Sequence, residues 1–72
     1  MKRHLLKVSR IYQANQVSTP EKVTLLWRNL KEALGVEQVN PDPSGVLVEI
    51  QYWLHDPIVT VTFAAEVYEV EK

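Results

Sequence analysis

His55-Asp56 is the pair of neighbouring side chains with the strongest claim to acid–base or metal chemistry. Either role needs more partners. A catalytic histidine needs a nucleophile or substrate within hydrogen-bond reach, and a metal needs three or four ligands. His4 is the other histidine of the chain, and nothing in the sequence brings it near. Asp56 precedes Pro57, which is ordinary turn chemistry. Ser9, Ser18 and Ser44 lack the glycine-flanked elbow of a hydrolase nucleophile. Gly35 and Gly45, the two glycines, lie too far apart to cradle a phosphate. The chain has no cysteine, so no disulfide and no thiolate metal site is available to it. These residues lead us to expect no enzyme: no catalytic residue, no metal ligand and no cofactor.

A second candidate is electrostatic. Lys2, Arg3, Lys7 and Arg10 fall within the first ten residues, with no acid among them. Basic arms of this kind contact phosphates, and Tyr12 nearby has the ring to stack on a base. Against this stands a net charge of −1 for the whole chain. Nucleic-acid-binding domains are commonly strongly basic. Residues 46–72 carry Glu49, Asp56, Glu66, Glu69 and Glu71 against Lys72 alone. The plainer expectation is a basic strand neutralised by an acidic hairpin, with nucleic-acid binding as an alternative.

The elements that must hold these side chains follow from apolar spacing. Residues 4–14 read as a strand, with Val8, Ile11 and Tyr12 favouring a pleated surface. Its alternation is imperfect. Leu6, Val8 and Tyr12 share one phase with Arg10 intruding, and Leu5 and Ile11 share the other. A bulge or an edge position would explain this. Thr19-Pro20-Glu21 opens a helix, with Thr19 as N-cap, Pro20 at the first helical position and Glu21 on the positive end of the dipole. Ser18 and Glu21 also have capping-box spacing. Val23, Leu26, Trp27, Leu30, Ala33 and Leu34 form one apolar stripe, and Gly35 ends the helix.

Asn40-Pro41-Asp42-Pro43-Ser44-Gly45 breaks any regular element. Residues 46–54 and 58–70 then alternate with period two on either side of a short turn, which predicts a β-hairpin. The fold class is therefore α+β: a small β-α-β-β domain, residues 1–72, with one amphipathic helix on a three-stranded, mainly antiparallel sheet. The last strand is the longest and most apolar, which suits the centre, so the expected spatial order is 1-3-2. Lys7 and Arg10 would then face Glu66 and Glu69 across an antiparallel pair, each contact worth about 0.2–1 kcal/mol.

This order and length resemble dodecins, small flavin-binding proteins that assemble into shells. The resemblance is one of topology, and no activity or site residue is carried over from it.

One helix covers one face of a sheet. The uncovered face would carry Leu47, Trp53, Ile58 and Tyr68 among Thr60, Thr62, Glu49 and Gln51. An apolar patch of that kind marks an interaction site. A chain of 72 residues without disulfides also gains from association, since its core supplies only about 3–5 kcal/mol net. The expected function is a non-enzymatic interaction module that self-associates, as a homodimer or larger, through this face or a sheet edge. Leu47, Trp53, Ile58 and Tyr68 are the expected contacts. A small-ligand carrier with a pocket at a subunit interface is a further alternative. No run approaches the roughly 18 apolar residues of a membrane span. Leu5-Leu6 falls short of the apolar stretch of about 7–15 residues in a signal peptide. Together with the lack of cysteine, this suits a cytoplasmic protein.

Overall fold

The computed structural model describes residues 3–53 and 57–70. Among these, the chain runs through β1 (Arg3–Gln13), a 3-10 turn (Ala14–Val17), α1 (Pro20–Leu34), β2 (Val36–Gln38), a second 3-10 turn (Pro43–Gly45), β3 (Val46–Tyr52) and β4 (Ile58–Glu69). The expected His55-Asp56 turn lies outside the described residues.

α1 begins and ends where its caps dictate. Thr19 is extended, and its hydroxyl accepts the Lys22 N–H at 3.3 Å. Pro20 follows at the first helical position, where a missing N–H costs nothing. Gly35 takes φ +67°, the left-handed geometry that a side chain resists, and its N–H donates to the Glu32 carbonyl at 3.2 Å. The expected Ser18–Glu21 capping box does not form, because the Ser18 hydroxyl donates to the Asn15 carbonyl instead.

β4 is the spine of the sheet. Its alternate residues Val59, Val61, Phe63, Ala65 and Val67 are at most 2% exposed. β1 pairs antiparallel along one side, from Arg3 opposite Tyr68 to Gln13 opposite Ile58. The register is unbroken, so the irregular apolar pattern of β1 reflects an edge position and not a bulge. β3 pairs antiparallel along the other side, from Val46 opposite Ala65 to Tyr52 opposite Val59.

The expected three-stranded sheet in the order 1-3-2 needs a correction. The long strand is flanked by 3–13 and 46–52, but the sheet has four strands, in the order β1-β4-β2 with β3 also on β4. The added strand is Val36–Gln38, opposite Glu69 to Val67. Three residues are too few to display a period-two pattern, and Gly35 and Asn40-Pro41 enclose them. The turn at Gly35 drops the chain onto the end of β4. There the Val70 N–H donates to the Gly35 carbonyl at 2.8 Å, and the Val39 N–H donates to that of Glu66 at 2.9 Å. β2 and β3 thus share one side of β4, interrupted by the loop of residues 40–45.

The loop is held by its own polar groups. The Asp42 carboxylate accepts both the Ser44 N–H and the Ser44 hydroxyl, each at 2.9 Å. The first of these bonds, then the second, holds the Asp42 carboxyl below its ordinary pKa. Gly45 is needed for close approach: a Cβ there would sit 2.5 Å from the Asn40 carbonyl oxygen.

α1 covers the β4 face bearing Phe63. The Trp27 ring stacks on Phe63 at 5.2 Å between centroids and 21° between planes. Its indole N–H donates to the Gln38 side-chain oxygen at 3.0 Å, so the buried ring keeps its polar atom satisfied. Val17, Leu30 and Val36 complete the buried core, with Val23 and Leu26 half-buried against it. The last turn of the expected stripe, Ala33 and Leu34, is exposed. Among the described residues, no helix is long and apolar enough to cross a membrane.

Candidate self-association face

Directly opposed residues in a sheet point to the same side. Since the odd-numbered residues of β4 lie under α1, its even-numbered residues and their partners form the opposite face. Three central rows cross that face from β1 through β4 to β3: Lys7, Ala64 and Leu47; Ser9, Thr62 and Glu49; Ile11, Thr60 and Gln51. Leu5 opposes Glu66 and Gln13 opposes Ile58. Arg3, Tyr68 and Glu37 form the end row.

Four residues were expected on this face. Leu47 is 72% exposed and Ile58 38%. Trp53 is 49% exposed and just beyond β3, where its indole N–H donates to the Thr60 hydroxyl at 3.1 Å. That bond draws the ring to the uncovered side. Tyr68 lies on the same side but is half-buried in its row. Sequence reasoning left out two more. Leu5 is 73% exposed and Ile11 69%, and both belong to this face. Their shared phase in β1 was the available signal. Only the register assigns that phase to the uncovered side.

Three pairs of polar groups on the face are bonded to one another. The Ser9 and Thr62 hydroxyls bond at 2.8 Å. Trp53 occupies Thr60. The Arg3 guanidinium is ion-paired to the Glu66 carboxylate. That hydrogen bond, and then the attraction of the carboxylate, pushes the Arg3 pKa up. This corrects the expected ion pairing: Lys7 opposes Ala64 and Arg10 opposes Val61, so neither faces Glu66 or Glu69. The register places Leu5 opposite Glu66, and Arg3 reaches that carboxylate diagonally from opposite Tyr68.

The basic residues do not share one surface. Arg3 and Lys7 lie on the uncovered face, whereas Arg10, opposite Val61, is on the helix side. Lys2 lies outside the described residues. Tyr12 is half-buried against the core, which withdraws its ring from base stacking. His4, opposite Val67, is also on the helix side and exposed. Among the described residues, no three histidine or carboxylate side chains gather as metal ligands would.

The helix side has a partly open region of its own. A groove of about 520 Å³ runs between α1 and β3, with Val23, Trp27, Val46, Val48 and Ile50 inside and Arg28 and Lys31 on its helix flank. The Lys31 ammonium stands 5.6 Å from the centre of the Trp27 ring. Compared with protein-family models, with curated proteins and with solved structures, the chain matches none.

Proposed function

We propose that this chain is a non-enzymatic interaction module that associates with a second copy of itself through the uncovered sheet face. The supporting observation is that Leu5, Ile11, Leu47, Trp53 and Ile58, all well exposed, lie on one side of one sheet. Solitary exposed apolar residues are ordinary, but their concentration on one flat surface is the mark of an interface. Internal pairing of Ser9, Thr62, Trp53 and Thr60 adds to this. A hydroxyl that keeps its hydrogen bond can be covered without the cost of an unsatisfied polar group.

Shape supports the same reading. The described chain measures 43 × 20 × 17 Å with a radius of gyration of 12.8 Å. A compact domain of this length would have a radius near 11 Å. An extended slab has more surface per residue, and a facing copy would shield much of it. Association by the face is favoured over association by an edge. The long edge strand β1 carries Arg3, Lys7 and Arg10, and edge charges of this kind oppose strand addition. The absence of cysteine suits a reducing compartment such as the cytoplasm.

Sedimentation velocity from micromolar to millimolar concentration tests the proposal. The expected result is a dimer fraction that rises with concentration and is abolished by Leu47→Asp, with the circular dichroism spectrum unchanged. A monomer over the whole range would overturn it. Binding of labelled DNA or RNA at low salt by that monomer would move the reading to the basic strand.

A further inference from the structure

The seven residues of β3, Val46–Tyr52, form an edge that the fold leaves unguarded. β3 pairs with β4, and among the described residues no strand lies on its other side. No loop or cap backbone hydrogen bond among the described residues reaches 46–52 either. Alternate N–H and C=O groups of such a strand point away from its neighbour, open to a further strand. The other long edge, β1, is protected by Arg3, Lys7 and Arg10. β3 has no lysine, arginine or proline, and its one charge, Glu49, is on the uncovered face.

The helix-side residues of the same strand, Val46, Val48 and Ile50, line the groove of about 520 Å³ beside α1. Val48 opposes the sealed Phe63 yet is itself 41% exposed, so α1 does not reach across β3. Arg28 and Lys31 stand on the helix flank, and no carboxylate is among the described residues lining the groove. The two cations also border a hollow beside β2 that holds Glu32 and Glu37. Neither cation is ion-paired to those acids, and the Lys31 ammonium is turned to the Trp27 ring. Both cations belong to the later half of α1, which leads through Gly35 to the Glu69 end of β4. That is the end nearer Val46 than Tyr52. A strand laid along β3 would therefore meet positive charge at one end and an apolar floor beyond it.

We infer that β3 and this groove take an extended acidic segment of another protein, added to the sheet as a further strand. Its backbone pairs with the open edge of β3. On its helix side, carboxylates lie by Arg28 and Lys31, and apolar side chains lie by Val48 and Ile50. Backbone pairing supplies the affinity of such an addition, and the side chains that alternate into the groove supply its selectivity. Charge decides the occupant. If a second copy paired its own β3 here, both helices would border one shared trough, and four cations would line it with no acid between them. Like charges so placed are costly, whereas an acidic segment matches them. The groove lies on the opposite side of the sheet from the self-association face, so this inference does not depend on that one.

The test uses two end-blocked, fluorescently labelled peptides, Glu-Thr-Glu-Thr-Val-Thr-Val and its reversal, one for each strand direction. Followed by anisotropy at low salt, one of them is expected to bind saturably with a dissociation constant below about 1 mM. Amide NMR shifts should centre on residues 46–52 and the facing flank of α1. Arg28 is exposed, so Arg28→Glu should hold its urea midpoint while binding weakens about tenfold. A peptide with lysine in place of glutamate should bind that variant better than it binds the parent. Lys31→Gln keeps a stem over Trp27 and should weaken binding by a smaller factor. N-methylation of alternate peptide residues should abolish binding in one phase and spare it in the other, because one set of amides faces β3. No saturable binding by either peptide, equal loss in both methylated phases, or indifference to Arg28→Glu would overturn the inference. Shifts centred on β1 would also overturn it, and concentration-dependent shifts along β3 without peptide would give the edge to a second copy. Leu47→Asp, which should remove the face dimer, is expected to leave the peptide-induced shifts of α1 in place, so the two proposals fail separately.

Discussion

The two faces of β4 are built from alternate residues of one strand, yet they follow different rules. Under α1, Val59, Val61, Phe63, Ala65 and Val67 are sealed from water and share no polar side chain. On the other side, Thr60, Thr62, Ala64, Glu66 and Tyr68 are small, hydroxylated or charged, and the large apolar groups sit at the Ile58 end of β4 and on the flanking chain. The covered face is organised by packing. The uncovered face is organised by hydrogen bonds between neighbours, with apolar side chains standing clear of them. The contrast teaches that a strand's share of core is set by what lies over it, and its share of interface by what does not.

The largest effect should come from the covered face. Phe63→Ala removes the ring against which Trp27 stacks and is expected to destabilise the fold by about 3–5 kcal/mol. That is comparable to the whole stability of a domain this size, so urea denaturation should find the variant mostly unfolded. A loss under about 1 kcal/mol would break the contrast at its stronger end.

On the uncovered face, stability and association should separate. Trp53→Ala is expected to change the urea midpoint of dilute, monomeric protein by the equivalent of about 1 kcal/mol or less. The same change should weaken association about tenfold or more, as loss of a large aromatic anchor does. Equal effects on both would mean that Trp53 serves the fold and not a partner. Gly35→Ala sharpens the contrast from the other direction. Nothing lies within 4 Å of the added Cβ, so only the left-handed backbone resists it, at about 1 kcal/mol. This cost should appear in the denaturation midpoint and leave the dimer dissociation constant untouched once the protein is folded.

The smallest effect concerns the loop beside β3. The Asp42 carboxyl is held below its ordinary value by Ser44, so it gives up its stabilising bonds only as pH falls. Its contribution is full above the unfolded value of about 3.9 and disappears as pH drops through the lower folded value. The Ser44 amide proton, followed by NMR, should titrate with a midpoint below about 3.9, while core resonances under α1 stay still. A midpoint at or above 3.9 would contradict the two bonds from Ser44.

The helix and the long strands were legible because each repeats its signal. Thr19-Pro20 and Gly35 mark both ends of α1, and 58–69 alternates for twelve residues, which suits a buried centre. The uncovered face was legible in part, since β3 and β4 announce their own phases. Leu5 and Ile11 were not placed on it because β1 is apolar in both phases, and only its pairing with β4 decides between them. The same gap explains Lys7 and Arg10. Opposite charge in two strands argues for their being neighbours, but a shift of two residues moves every ion pair and changes the composition of neither strand. β2 was missed for want of length. Three residues gain their extended form from β4, and that contact is not written in Val36-Glu37-Gln38 itself.

The interruption at residues 40–45 bears on how far assembly can proceed. The side of β4 that carries β2 and β3 ends in a stepped border, seven paired residues and then three with a detour between them. The side that carries β1 ends in an unbroken border of eleven. These two profiles do not match, so head-to-tail addition of sheets would leave backbone groups stranded at every junction. Growth into filaments through the strand borders is thereby penalised.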